Sequence, residues 1–175
     1  ANGIGDATGN TLTIESLKSG STINLEQIFG GVVTGQGNAN SNKVVLGKTG
    51  AGAVTMDKVN TLYGGGSQNG GGVRGGNANG NEIAMRTGTG SSNGTRIYGG
   101  YAYAGAANDN EVTISGGHVA DMVIGGSSST GAFGSGTANG NKVRVTGGSS
   151  IGGAVYGGFI GMGSASINNI IIEGG

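Results

Sequence analysis

Two short glycine-containing motifs in this sequence match parts of nucleotide-binding loops. Residues 70–75 fit the pattern G-x-G-x-x-G, and Gly47-Lys48-Thr49 ends like a phosphate-binding loop. Glycine supplies 44 of the 175 residues. At that frequency the first pattern is expected about two to three times by chance, and no strand-then-helix context follows it. In the second motif, Asn42 stands where the loop requires its first glycine, so neither motif predicts a nucleotide site.

Residues suited to acid–base or metal chemistry are few and scattered. His118 is the only histidine, and cysteine is absent. A solvated loop position with no obvious partner is our interpretation of His118. Asp109 and Glu111 flank Asn110 and could share a face, but a polysaccharide-cleaving enzyme needs a further carboxylate or basic cluster. The aspartates also form no column of the kind that calcium-binding repeats use. We therefore expect no catalytic residue, no metal site and no cofactor.

The aromatic group best suited to contact a partner is formed by Tyr98, Tyr101 and Tyr103. Exposed rings there could bind a glycan or a protein surface. The alternative, which we favour, is stacking between neighbouring repeats, worth about 0.5–1.5 kcal/mol per pair. The long insertion at 42–81 is a second candidate binding region, since insertions in repeat proteins often lie on one face. One repeat position holds Phe29, Tyr63, Tyr98, Ile124 and Tyr156.

Composition excludes several classes of protein. Charged residues are 10% of the chain, with nine basic and nine acidic side chains, so no basic face is available for nucleic acid. No apolar run approaches the roughly 20 residues of a membrane-spanning helix. Proline is absent and glycine does not recur every third residue, which excludes collagen. Regularly placed valine, isoleucine and leucine argue against disorder, so a single repetitive β domain over 1–175 is the prediction.

The repeat is defined by an asparagine that is followed by apolar residues two and four positions later. We call it the anchor asparagine; alanine stands three positions before it. Successive anchors are separated by 32, 39, 29, 31 and 27 residues. A second phrase, two apolar residues followed by Gly-Gly, falls between anchors. The six anchors are Asn10, Asn42, Asn81, Asn110, Asn141 and Asn168.

Alternation with a period of two follows each anchor and predicts a strand. In 141–146, one parity holds Asn, Val and Val, and the other holds Lys, Arg and Thr. Successive side chains of a strand point to opposite faces, so the first set faces a core and the second faces water. No segment shows an apolar stripe of helical period, and we predict essentially no α-helix.

Stacking solves the problem that one short amphipathic strand cannot bury its own apolar face. We predict an all-β fold, a parallel β-solenoid of about five to six coils with roughly 30 residues per coil. Equivalent residues then lie about 4.8 Å apart. Alanine marks a tight position, and Gly-Gly supplies corners or points where backbones approach closely. Lys43 with Glu82, and Glu111 with Lys142, become neighbours of opposite charge.

The anchor asparagines have the parity of the core. Stacked amides can satisfy one another, carbonyl to NH₂, so we predict an internal ladder formed by all six. The alternative is that asparagine serves only in turns. The polar column two residues before the anchors, which includes Asn79 and Asn108, fits that alternative.

Three phrases resemble repeats in the passenger regions of large bacterial autotransporter adhesins. They are AVYGGFIGMGSASINNIIIEGG at 154–175, RIYGGYAYAGAANDNEVTISGG at 96–117 and TANGNKVRVTGG at 137–148. The resemblance covers most of the chain and is weakest over 23–72. It implies a right-handed parallel β-helix displayed outside an outer membrane, and it implies no catalytic residues. The membrane barrel of such proteins is not in this sequence, so the resemblance implies surface attachment only for a parent chain. Both ends stop without the polar cap of a terminal repeat, so we expect a segment of a longer repeat array.

Our functional expectation is a non-enzymatic extracellular stalk or adhesive surface on a bacterial cell. Its partner would be a host or bacterial surface protein or glycan, without nucleic acid and without membrane insertion of this segment. The first alternative is a filament subunit that associates end to end, because neither end of the sequence has the polar cap of a terminal repeat. Lesser alternatives are a polysaccharide-acting enzyme and an ice-binding protein. An ice-binding solenoid presents a regular array of threonines, and the outward strand positions here do not form one. They are Thr13, Val45, Ala84, Thr113, Arg144 and Ile171.

Overall fold

The structure, a computed structural model, describes residues 5–17, 21–47, 54–68, 75–86, 89–91, 94–129 and 135–174. Over these ranges the protein is all-β and contains no helix. All strand pairs formed by these residues are parallel. The predictions of an all-β chain, of parallel pairing and of essentially no α-helix are confirmed for this part of the molecule.

The first sheet, which we call the anchor sheet, receives one short strand from each repeat. Each strand begins immediately after an anchor asparagine. Equivalent residues pair directly, so that Val112 stands opposite Ile83 on one side and Val143 on the other. Strands are numbered in chain order, and this sheet runs β1 (Thr11–Ile14), β3 (Lys43–Leu46), β6 (Glu82–Met85), β9 (Glu111–Ser115), β13 (Lys142–Thr146) and β17 (Asn169–Glu173).

The second sheet, the glycine sheet, contains the phrases that carry Gly-Gly. It runs β2 (Gln27–Thr34), β5 (Thr61–Gln68), β8 (Arg96–Tyr103), β11 (Val123–Ser129) and β15 (Val155–Ile160). A third sheet runs β4 (Val54–Met56), β7 (Thr89–Ser91), β10 (His118–Val119) and β14 (Ser150–Ile151). Two short strands, β12 (Gly136–Thr137) and β16 (Gly163–Ser164), pair with each other. Neighbours in each sheet therefore come from successive repeats.

The main core cluster consists of apolar side chains contributed by the three large sheets. Burying each Val, Leu or Ile side chain stabilises the fold by about 1.5–3 kcal/mol. Alanines before the anchors are fully buried as well, at positions 39, 78, 107 and 138. Central members of the apolar cluster are Val44, Leu46, Ile83, Met85, Val112 and Ile114 from the anchor sheet, Leu62, Ile97 and Val123 from the glycine sheet, and Val54, Met56 and Val119 from the third.

The residue before each anchor has a left-handed backbone. Its φ angle lies between 55° and 72° in all six repeats. Glycine adopts this conformation without steric cost, whereas side chains with a Cβ rarely do. This turn ends the preceding segment one residue before the anchor. The six residues are Gly9, Ser41, Gly80, Asp109, Gly140 and Ile167.

The glycine pairs correct one sequence expectation. They lie inside the strands of the glycine sheet rather than at corners. A Cβ added to Gly100 would lie 2.5 Å from Asn110 Nδ2, and one added to Gly31 would lie 2.5 Å from Asn42 Oδ1. Close approach of the backbone to the anchor column is therefore the reason for glycine here. Gly147-Gly148 differs, since φ values of 65° and 70° place this pair in a turn.

Candidate functional site

The anchor asparagines form a continuous hydrogen-bonded column beneath the glycine sheet. Nδ2 of each anchor donates to Oδ1 of the next at 2.9–3.1 Å. The same Oδ1 also accepts the backbone N–H of the preceding anchor at 2.9–3.0 Å. Four of these residues, Asn42, Asn81, Asn110 and Asn141, are at most 1% exposed. A buried column of neutral amides stabilises register and has no acid, base or nucleophile for catalysis.

The asparagines two positions before the anchors are more than turn residues. Oδ1 of Asn40 accepts the N–H of Asn79 at 2.8 Å, and Oδ1 of Asn79 accepts the N–H of Asn108 at 2.8 Å. Asn108 and Asn139 continue the column. In this column the acceptor belongs to the earlier repeat, whereas in the anchor column it belongs to the later one. The turn interpretation missed these bonds, although the regular spacing of the asparagines was a usable signal.

Aromatic rings stack along the outer face of the glycine sheet. Phe29 and Tyr63 have ring centroids 4.7 Å apart and planes within 6°. Tyr63 and Tyr98 follow at 5.3 Å and 16°. Tyr101 contacts both tyrosines edge-on, with centroids at 5.7 Å. Tyr103 lies on the same strand, half-buried.

Burial raises the pKa of the Tyr63 and Tyr98 phenols above the usual value for tyrosine. For both groups the loss of solvation is the largest cause, because a phenolate is poorly stabilised away from water. The two hydroxyls are therefore neutral at physiological pH. Both hydroxyls have hydrogen-bond partners, Thr61 for Tyr63 and Arg96 for Tyr98.

The aromatic column is interrupted at β11. Ile124 and Ser127 occupy the positions that Tyr98 and Tyr101 hold on β8. Rings resume on β15, where Tyr156 and Phe159 contact each other edge-on at 5.4 Å. A surface depression of about 300 Å³ lies at this interruption, and we call it the serine notch. It is lined by Tyr98, Tyr101, Ser127, Ser128, Ser129, Phe159 and Gly161.

His118 lies in strand β10 and has a partner, which corrects the interpretation of a solvated loop residue. Nδ1 of His118 lies 2.7 Å from Oγ of Ser150, the residue directly opposite on β14. Catalytic use of such a pair requires a third group that orients the imidazole. In the described part of the chain the histidine ring makes no other hydrogen bond, and both side chains are exposed. The geometry is that of a surface hydrogen bond between neighbouring strands.

Charged side chains pair along the outer face of the anchor sheet. Lys43 Nζ lies 2.8 Å from Glu82 Oε1, and Lys142 Nζ lies 3.2 Å from Glu111 Oε1. Both predicted pairs are confirmed. The four side chains are about 40% exposed. Each pair therefore stabilises the fold by only about 0–1 kcal/mol. Asp109 lies in the turn before Asn110 rather than on the strand with Glu111. Among the described residues no group of three acidic or histidine side chains could hold a metal ion.

Several sequence candidates fall on residues that lie outside the described ranges. These are Lys48, Thr49 and residues 70–74, which carry most of the two glycine motifs, together with parts of the 42–81 insertion. Within the described ranges, no helix has the length and apolar character needed to span a membrane. No protein-family model, curated protein or solved structure matches this chain.

Proposed function

We propose that this chain is a parallel β-solenoid that serves as a non-enzymatic stalk or adhesive surface outside a bacterial cell. The order of the strands in the sheets supports the solenoid part of this proposal. The anchor sheet follows the order β1-β3-β6-β9-β13-β17, and the glycine sheet follows the repeats in the same order. A chain that visits the same sheets once per repeat adds one coil for every 27–39 residues. The right-handed twist of the solenoid and its surface location rest on the resemblance to autotransporter passenger repeats.

The chemistry of the described residues supports a structural or adhesive role. Every fully buried side-chain nitrogen and oxygen among them has a hydrogen-bond partner. The acidic and basic groups of the anchor sheet are paired at its surface. The outer face of the glycine sheet is the surface that could contact other molecules. On this face Tyr156 and Phe159 are 37% and 48% exposed. Exposed aromatic side chains are common anchors in binding surfaces.

Display on cells tests this proposal. The chain would be fused to an outer-membrane anchor and expressed on bacteria, and attachment to host cells and to other bacteria would be counted. We expect protease-accessible display and more attachment than with the anchor alone. A matched variant, Tyr156→Ser with Phe159→Ser, should be displayed equally and attach less. Equal attachment by the anchor alone and by the intact chain would contradict the proposal.

A filament subunit is the second candidate, favoured by the edge strand β17. Ile170 and Ile172 are 43% and 69% exposed there, and among the described residues β17 pairs only with β13. A second copy, or a following repeat where the chain continues, could extend the sheet from this edge by parallel pairing. Light scattering over a hundredfold range of concentration would decide. End-to-end assembly requires the mean mass to rise with concentration, and a constant monomer mass excludes it.

A further inference from the structure

The serine notch lies between two aromatic strands. Ser127 on β11 is in register with Tyr101 on one side and with Phe159 on the other. Adjacent strands lie about 4.8 Å apart, so the backbones of β8 and β15 are about 10 Å apart across the notch. Ile124 fills the neighbouring position of the same strand and is only 2% exposed. The opening therefore lies at Ser127 and extends towards Ser129 and Gly161.

Ser127 provides a polar group at the bottom of the notch. The residue is 3% exposed, so nearly all of it is covered by its neighbours. Its hydroxyl makes no hydrogen bond with another described residue, in contrast to Ser128, which donates to the carbonyl of Gly105 at 2.8 Å. Every fully buried polar side-chain atom of the described residues is satisfied. The Ser127 oxygen is therefore not fully buried, and Ser127 is one of the residues that line the notch.

The lining residues carry no charge, which limits the ligand class. Arg96, two residues before Tyr98, is hydrogen-bonded to the Tyr98 side chain and is paired with Asp121 at 3.0 Å. Among the described residues of the notch, a phosphate, a sialic acid or a uronic acid would find no unpaired cation, so the ligand is expected to be neutral. An α-helix, about 10–12 Å in diameter, is too wide to enter between the two aromatic strands.

We propose that the serine notch binds one neutral pyranose ring of a surface glycan. A pyranose presents C–H groups on its faces and hydroxyls around its edge. The C–H groups pack against the electron-rich faces of Tyr101 and Phe159, and an edge hydroxyl bonds to Ser127. Tyr98 adds a neutral phenol at the rim. This inference gives the ligand class of the adhesive surface proposed above and rests on that role only for its biological setting.

Titration of the whole chain with free sugars tests the site. The probes are neutral trisaccharides built from glucose, galactose, mannose or N-acetylglucosamine, with a sialylated trisaccharide and an apolar tripeptide as comparisons. Binding would be followed by the chemical shifts of the tyrosine and phenylalanine rings. We expect at least one neutral sugar to bind with a dissociation constant of about 1 mM. Shifts should concentrate on Tyr98, Tyr101 and Phe159.

Three variants locate the binding. Ser127→Phe places a ring between Tyr101 and Phe159, fills the notch and should abolish binding. Phe159→Ser removes one side and should weaken binding about fivefold. Phe29→Leu is the matched control, because Phe29 lies on the same face but three strands away from β11, and it should bind like the original chain. Circular dichroism checks that each variant is folded.

Several results would overturn the notch. They are the absence of saturable binding by every neutral sugar, unchanged binding by Ser127→Phe and Phe159→Ser, or tighter binding of the sialylated sugar or the peptide. The display experiment separates this failure from failure of the surface role. Cells that still attach while the purified chain ignores neutral sugars would leave the surface role standing and remove the notch. Sugar binding by the purified chain without attachment of the cells would remove the surface role and leave the notch standing.

Discussion

The anchor amide is self-complementary, which explains why one residue type can fill a whole column. Asn110 accepts two hydrogen bonds from Asn81 through Oδ1 and donates one to Asn141 through Nδ2. A carboxylate can only accept, and an aliphatic side chain can do neither. The anchor asparagine of each repeat can therefore satisfy the hydrogen-bonding groups of the anchor asparagine in the next repeat.

Replacing Asn110→Asp should destabilise the protein by about 3 kcal/mol at pH 7, because it loses the donor to Asn141 and buries a charge. Burial should raise the pKa of the new carboxyl in the folded state above its unfolded value of about 3.9. Stability is then retained below about pH 3.9 and lost as the pH rises through the raised value. Urea unfolding at pH 4 and pH 7 should therefore show a smaller deficit at pH 4.

The control is Asn169→Asp, one strand position beyond an anchor. Asn169 is exposed and stands opposite Lys142, so a carboxylate there should change the free energy of unfolding by less than about 0.5 kcal/mol. If both variants unfold at the same urea concentration at pH 7, the anchor column does not contribute as argued.

At the scale of single residues, parity and spacing limit what a sequence can reveal. They identify the anchors as inward and equivalent, because a strand has a period of two. They do not reveal the direction in which the amide bonds run. The left-handed position before each anchor is also obscured, since Ser41, Asp109 and Ile167 stand where three other repeats have glycine.

At the scale of elements, glycine lies inside strands of the glycine sheet although its intrinsic propensity for strands is low. A glycine inside a strand costs about 0.5–1 kcal/mol relative to alanine. Gly100 nevertheless lies within β8, because an added Cβ would meet both the carbonyl oxygen of Ala78 and the amide of Asn110. The glycine sheet can therefore approach the anchor column only where the side chain is absent.

Gly100→Ala should cost about 3 kcal/mol or more, since the new methyl group displaces Asn110 and breaks its bonds to the neighbouring anchors. Gly90→Ala in β7 is the matched control. Its added Cβ meets only His118 Cβ, at 3.9 Å, and the change should be neutral or slightly stabilising. Thermal unfolding of the two variants compares them directly. A Gly100→Ala protein as stable as Gly90→Ala would contradict the close-approach argument.

The glycine pairs were expected at corners but lie inside strands, and the error has a physical reason. Glycine is favoured both by left-handed turns and by close backbone contacts, and a single sequence does not separate the two. Gly147-Gly148 and Gly99-Gly100 are identical in type, yet the first forms a turn and the second lies in a strand. Neighbouring aromatic residues gave the strand signal, as in Tyr98 and Tyr101.

At the scale of the whole molecule, each repeat contacts mainly the repeats before and after it. Every strand of the anchor sheet pairs only with equivalents from adjacent repeats. This locality is why composition and period were sufficient to predict an all-β chain with parallel strands. The serine notch was not predictable, because it depends on which residue of one repeat faces which residues of its two neighbours.

Deletion of residues 110–140 should leave a folded protein, because it removes one whole period of 31 residues. Asn141 then follows Asp109 and stacks on Asn81, so the anchor column continues with five members. The free energy of unfolding should fall by about a fifth, since one of five neighbour interfaces is lost. The deletion also removes Ser127 and brings Tyr101 beside Phe159, so the notch and its sugar binding should disappear.

The control is a deletion of residues 110–124, which removes about half a repeat. Gly125 then follows Asp109, and a strand of the glycine sheet is forced into the register of the anchor sheet. This brings polar residues to core positions at the junction and interrupts the columns there. Far-UV circular dichroism and urea unfolding should show a cooperative β fold for the whole-period deletion, and less β structure with a broader, earlier transition for the half-period one. If both deletions lost the same amount of structure, the repeats would not be interchangeable. The free energy of unfolding would then not be a sum of contributions from neighbouring repeats.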